Sequence, residues 1–291
     1  MQHFPEIIQF AIRFTTFALM FGVGLDCTKS DATYGVARAP LLATVTLIQF
    51  ALIPGVALAV SLLLGLPPAT STALLLFSIC PSGTVSNTFS FIAKANTSLS
   101  VLLTAASCIA AMVFTPVAMA CWSKAFGTQL TTSFTIPLPL LLRQLIPLMA
   151  VPVALGALIR HYAPAFTRRN LHRARITSII LFSSMIALII LNHPRDIILR
   201  LRELFPAAVI LTTSLVTLGW LVAKSFRLRR PERTAVMFEL PCRNLAIAAL
   251  LGFTVLQKPD LVIYCTAFFL VEGPILSAFA LFTARLSPDR D

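Results

Sequence analysis

An all-α integral membrane protein is the fold class this sequence predicts, and three observations predict it. Hydrophobic residues make up 57% of the chain and charged residues 12%, with a mean hydropathy of +0.88, whereas a soluble domain carries about 25% charged residues. Apolar runs recur from Phe4 to Thr283 with short polar breaks, and each reaches the roughly 20 residues that cross a hydrocarbon core as a helix. The basic residues gather in those breaks, so the net charge of +12 reads as loops facing anionic lipid rather than as a nucleic-acid footprint.

The spans fall approximately at residues 5–25, 38–65, 68–93, 98–122, 136–159, 176–192, 205–224, 232–257 and 261–284, nine in all. The first is not a signal peptide: Arg13 sits inside it, no positive segment precedes it, and the run continues to Leu25. The longest break, about 16 residues, leaves no room for a further soluble domain. Of the 23 Lys and Arg residues, fifteen lie on the side of the odd-numbered loops and the C-terminus and five on the other. The positive-inside rule then places the C-terminus in the cytoplasm and the N-terminus outside, in a multi-pass protein of the cytoplasmic membrane. The six cysteines are scattered, with no CxxC pair or metal-ligand spacing.

Two spans carry internal punctuation. The third reads as an apolar half from Pro68 to Cys80, then Pro81-Ser82-Gly83-Thr84, then a half that is polar on one side through Ser86, Asn87 and Ser90. The eighth breaks at Glu239-Leu240-Pro241-Cys242-Arg243-Asn244. Proline removes a backbone donor, so each helix is expected to interrupt near mid-depth and free backbone groups that ions or substrate then satisfy. The eighth comes five spans after the third, an odd step, so the two enter the membrane from opposite sides. An inverted repeat follows, with halves at 1–125 and 130–285, and paired interrupted helices point to a transporter's central site.

Ionisable and polar residues at membrane depth are functional candidates by default. Glu239 beside Pro241 needs a cation or a proton, because an unpaired charge there costs at least ~2.5 kcal/mol. Ser86, Asn87, Ser100 and Thr104 form an oxygen-rich set, with Ser100 and Thr104 four apart on one helix face, and oxygen ligands suit hard cations. Taken alone, the hydroxyls of Ser100 and Thr104 are what helix packing uses; beside Asn87 and Glu239 they point to a sodium site. Arg13, Arg243 and Glu272 complete the intramembrane charges. Arg13 either meets a substrate carboxylate, snorkels or pairs with Glu272; Arg143, nearer the surface, is expected to snorkel. The four histidines lie at span ends.

On the segments Phe21-Gly22-Val23-Gly24-Leu25, Gln49 to Pro54, Cys80-Pro81-Ser82-Gly83-Thr84-Val85-Ser86-Asn87, Ser100, Thr104, Arg233-Thr234 and Glu239 to Asn244, the chain resembles the bile acid:sodium symporters along nearly its whole length. The resemblance implies a core domain with two crossed, broken helices working against a panel domain, and nine helices where many bacterial members have ten. It implies a first sodium site at Ser86, Asn87, Ser100, Thr104 and Glu239. A second would use Gln49, Glu239 and backbone oxygens near Leu240 and Cys242, together with a glutamine where this chain has Arg243. A guanidinium has no acceptor and stays charged, so Arg243 either replaces that ion or binds the substrate carboxylate. Thr84 and Asn244 would face the substrate. Val271-Glu272-Gly273-Pro274 stands where bile acid binders carry an aromatic-His-Asn stretch, so a smaller organic anion is expected. Sodium is the expected coupling ion. The rival is a proton-coupled transporter using Glu239 or Glu272. No His or Asp accompanies Ser86 as an enzyme's base would, and a lone acid among hydroxyls suits an occluded ion site better than a channel pore.

Overall fold

The computed structural model of the chain describes residues 6–26, 28–126 and 138–286. Helices α1 (Glu6–Asp26), α2 (Lys29–Ala37), α3 (Ala39–Leu47), α4 (Ile53–Leu63), α5 (Pro68–Ser78), α6 (Val85–Ile92) and α7 (Thr97–Phe126) form the first part. Then follow α8 (Leu138–Tyr162), α9 (Pro164–Asn192), α10 (Pro194–Ser225), α11 (Arg230–Glu239), α12 (Leu245–Leu250) and α13 (Asp260–Arg285). Among the described residues, six helical stretches are long and apolar enough to cross a membrane: Glu6–Asp26, Ala39–Leu63, Thr97–Cys121, Pro164–Asn192, Pro194–Ser225 and Asp260–Arg285. The protein is thus an all-α membrane protein. The fifth expected span lies in α8, and the third and eighth are pairs of half-helices, α5 with α6 and α11 with α12. The boundary expected between the halves lies mostly outside the described residues.

Proline sets several of these beginnings. Pro68, Pro164, Pro194 and Pro231 each sit at the first or second position of a helix, where the missing N–H costs nothing and φ is already helical. This corrects two expected breaks. Residues 164–175 and 194–204 are helical, and only Ala163 and His193 separate α8, α9 and α10. Their arginines are therefore carried on helix ends, which their good helix propensity permits.

Helices α1, α8 and α9 pack on one another, and α10, α11, α12 and α13 pack together with α4, α5 and α6. The α1/α8 crossing is close because glycine meets glycine. A Cβ on Gly24 would lie 2.1 Å from the Val153 carbonyl oxygen, and one on Gly156 would lie 2.3 Å from that of Phe21. Both obstacles are backbone, which cannot rotate away.

Between α3 and α4 the residues Ile48–Leu52 form a π turn immediately before Pro54. Proline cannot donate to the preceding turn, and the wider turn absorbs that defect. It also seats Gln49, which is fully buried.

The interrupted helices meet at their breaks. Ser82 and Arg243 form an isolated antiparallel bridge, with Gly83 N–H donating to Cys242 O at 3.0 Å and Asn244 N–H to Pro81 O at 2.9 Å. Ser82 Oγ donates to Cys242 O at 3.1 Å and to Glu239 O at 3.3 Å, and Thr115 Oγ1 donates to Ile79 O at 2.8 Å. Most of the backbone freed by the two prolines is thereby satisfied without water. The approach at Gly83 is close, since a Cβ there would sit 3.2 Å from Arg243 O and press on the paired backbone.

The far end of each first half-helix is fastened by an acid. At the start of α11, Glu232 accepts from Arg38 at 2.5 Å and from Tyr34 Oη at 3.0 Å. At the start of α5, the Thr70 hydroxyl donates to Glu203, which pairs with Arg200 at 2.9 Å, and Arg200 lies 4.5 Å over the Tyr264 ring.

Two stability outcomes follow. Gly24→Ala lowers the melting temperature in detergent, by an overpacking cost of about 1–3 kcal/mol; an unchanged melting temperature would contradict the close crossing. Ser82→Ala strips a donor from two buried carbonyls and costs about 1–3 kcal/mol, read from the same melts with circular dichroism confirming helical content.

Candidate functional site

The crossing fixes the ends of four half-helices at one place, and α7 runs beside them. From α6 come Ser86 and Asn87, from α7 Ser100 and Thr104, and from the end of α11 the fully buried Glu239. Ser86 Oγ donates to Glu239 Oε2 at 2.9 Å, and Thr104 Oγ1 to Glu239 Oε1 at 3.1 Å. Ser86 and Thr104 hydroxyls are 3.2 Å apart. Asn87 Oδ1 accepts from Ser100 Oγ at 2.8 Å and from Thr104 Oγ1 at 3.3 Å. Five sequence-predicted residues from three helices thus form one closed oxygen cluster.

The arrangement follows from local geometry. Ser86 and Asn87 occupy the first turn of α6, so the break turns them toward the crossing. Ser100 and Thr104 are one helical turn apart and present both hydroxyls on one side of α7. Glu239 is the last residue of α11, so its side chain reaches into the same space.

Arg243, 3% exposed, lies on the other side of the crossing. Its Nε donates to Leu240 O at 3.1 Å, as does Nη2, while Nη1 donates to Cys80 O at 3.3 Å and Gln49 Oε1 at 3.5 Å. Four of the five donors of the guanidinium fork are therefore spent on two carbonyls and one amide oxygen. Among the described residues Arg243 is the one basic side chain in the buried set. Gln49 is joined to Arg243 and to no oxygen of the Glu239 cluster.

Asn244 caps α12, its Oδ1 accepting from Ile247 N–H at 3.2 Å. Its Nδ2, like Gln49 Nε2, is a buried donor without a partner. Thr84, partly exposed, begins α6 beside it. Glu272 is buried on α13 at 2% exposure. Arg13 does not join this group: it lies on the exposed face of α1 with Phe10, Phe14 and Phe17, because the buried face of α1 runs through Ile12, Thr16, Leu19 and Val23 instead. Arg143 is also exposed.

Three residues outside the predicted site set complete the support. Ser82 ties both breaks together, Ser107 Oγ accepts the Ser82 N–H at 3.1 Å, and Ser90 donates to Ser100 at 3.2 Å. Ser107 was legible as the hydroxyl one turn beyond Thr104 on the same face. Ser90 lies one turn beyond Ser86. Ser82 carried no signal beyond its place in the break.

Comparison with known proteins bears on this geometry. Residues 14–199 match the Sodium Bile acid symporter family. The chain is 25% identical over 253 residues to the uncharacterized sodium-dependent transporter YocS of Bacillus subtilis, covering 86% of this chain and 76% of that protein. It is 34% identical over 143 residues to the probable chloroplastic sodium/metabolite cotransporter BASS1 of Arabidopsis thaliana, covering 49% of this chain and 34% of that one. A human sodium-dependent organic anion transporter is 29% identical over 146 residues, covering 50% and 38%. The chain therefore spans three quarters of the bacterial relative but little more than a third of the plant and human ones. On this match the chain belongs to the sodium bile acid symporter family, as a multi-pass membrane transporter and not an enzyme.

Proposed function

We propose that the chain carries a small organic anion across the cytoplasmic membrane together with one sodium ion, by alternating access. The closed oxygen cluster around Glu239 carries this reading. Oxygens about 2.4 Å from a hard cation and at right angles to one another lie about 3.4 Å apart, and the cluster's contacts of 2.8 to 3.3 Å approach that spacing. Its one carboxylate supplies the negative charge, and its remaining ligands are neutral, which suits a monovalent cargo. The bacterial, plant and human relatives are named as sodium-dependent or sodium-coupled, in agreement.

Arg243 stands in for a second cation. Its donors meet Leu240 O, Cys80 O and Gln49 Oε1, oxygens that would otherwise be free to hold a metal ion. The guanidinium is thus tethered to the break and not extended toward a substrate. Carboxylate recognition falls instead to Thr84 and to the unpaired Nδ2 of Asn244.

In this reading nine spans form two inverted halves, 1–125 and 130–285. Helices α1, α8 and α9 make the panel, and the remainder make the core that holds the crossing. The arginine-rich ends and the C-terminus face the cytoplasm, the N-terminus lies outside, and substrate binds between core and panel.

Purified protein is expected to melt at higher temperature as sodium replaces choline at constant ionic strength, because a ligand of the folded state stabilises it by mass action. Asn87→Ala is expected to abolish that rise. Stability that follows pH and ignores sodium would instead favour proton coupling through Glu239 or Glu272. With Arg243→Gln the sodium dependence should steepen from a Hill slope near one toward two, as the second set of oxygens is released; a normal transporter with unchanged slope would remove Arg243 from the coupling scheme.

A further inference from the structure

We infer that sodium leaves the Glu239 cluster along the seam between α6, α7 and α11, by way of the Ser90 hydroxyl, into a cavity in front of Glu232. The inference rests on the sodium reading of that cluster and adds to it a route and a passage residue.

The three helices pack pairwise on one another. α6 runs from the crossing out to Ile92, α7 returns from Thr97, and α11 runs inward from Arg230 to Glu239. Oxygen-bearing side chains recur along them at one-turn steps. Ser86 and Ser90 are four apart on α6, Ser100 and Thr104 four apart on α7, and Glu232 and Glu239 seven apart on one face of α11. Contacts join the steps. Ser86 and Thr104 donate to Glu239, Asn87 Oδ1 accepts from both Thr104 and Ser100, and Ser90 Oγ donates to Ser100 Oγ at 3.2 Å. Ser90 is fully buried, and no donor among the described residues reaches its oxygen. Its lone pairs are therefore open to a passing cation.

The seam ends at a cavity of about 380 Å³ lined by residues 95–98 and by Arg229, Pro231 and Glu232. The turn that lines it is bonded directly to the last residues of the seam: Ala95 N–H donates to Ser90 O at 2.8 Å, and Ser100 N–H to Asn96 O at 3.1 Å. Asn96 N–H donates to Pro231 O at 3.0 Å and closes the turn against α11. The Arg230 side chain donates to Leu286 O, so the cavity lies at the C-terminal end of α13.

Charge makes the route one of release. In the cluster, the side chains that donate to Glu239 are neutral hydroxyls. Glu232, at the mouth, is already paired with Arg38 at 2.5 Å and accepts from Tyr34, and Arg229 lines the same cavity. A cation finds oxygens at each step but a carboxylate without a contacting cation only at the start, so the mouth does not retain it.

The test is binding of radioactive sodium to the purified full chain, with its rate of release into unlabelled sodium. Ser90→Val and Ser90→Thr are alike in size and differ in the hydroxyl. Valine should slow uptake and release about tenfold and leave the half-saturating sodium concentration within about threefold of wild type, whereas threonine should stay within about threefold in both. A side chain that only packs would not slow exchange, and a resident ligand would shift half-saturation instead. Wild-type release from Ser90→Val, a shift of half-saturation without slowing, or equal slowing by threonine overturns the inference. If Ser90→Val fails to fold, Ser98→Trp on the exposed cavity wall decides: slowed exchange at unchanged half-saturation supports the route, and wild-type exchange overturns it. A wild type that binds no sodium would instead sink the sodium reading itself.

Discussion

The antiparallel exchange of hydrogen bonds between the two broken helices is the constraint on which the rest of the structure depends. Pro81 and Pro241 each remove a donor at membrane depth, where no water can substitute. Each break answers the other: Gly83 donates to Cys242 O, and Asn244 donates to Pro81 O. Once the two segments are paired, the ends of α5, α6, α11 and α12 have fixed positions. Residues 153 positions apart in sequence, Ser86 and Glu239, then fall within 2.9 Å.

Charge at the crossing is organised in two layers on either side of this pairing. One side is all oxygen, with Glu239 held by Ser86 and Thr104 and a neutral ring continuing through Asn87 and Ser100. The other is occupied by a permanent cation, Arg243, whose donors close the carbonyls of Leu240 and Cys80. The same backbone pairing thus presents an oxygen cluster on one side and spends its carbonyls on a side chain on the other.

Much of this was legible in the sequence, for identifiable reasons. Apolar run length is a strong signal in lipid, so the helical membrane class could be read directly. The breaks were legible because proline beside glycine or charge has few other uses at mid-depth, and the members of the Glu239 cluster because isolated polar groups are costly there. The exposed placement of Arg13 was not legible for a specific reason: depth along a helix is readable from sequence, but the face of α1 that meets neighbours depends on where α8 and α9 lie. The extension of α9 and α10 through arginine-rich segments was hidden because such residues suit both helices and loops; Pro164 and Pro194 were the overlooked markers. Ser82 was invisible because its role lies in donating to a carbonyl 160 residues away.

The acid fasteners at the starts of α5 and α11 carry a consequence of a different kind. Glu232 with Arg38 and Glu203 with Arg200 are partly open to solvent, the arginines being 35% and 38% exposed. Such pairs weaken as mobile ions accumulate around them, whatever the ions are. The protein therefore has a general response to salt strength at its two surfaces, softening the anchorage of both broken helices, alongside any ion-specific response at its centre. Brackish and dilute surroundings would present the same molecule with different mechanical stiffness, even at equal occupancy of the buried oxygens.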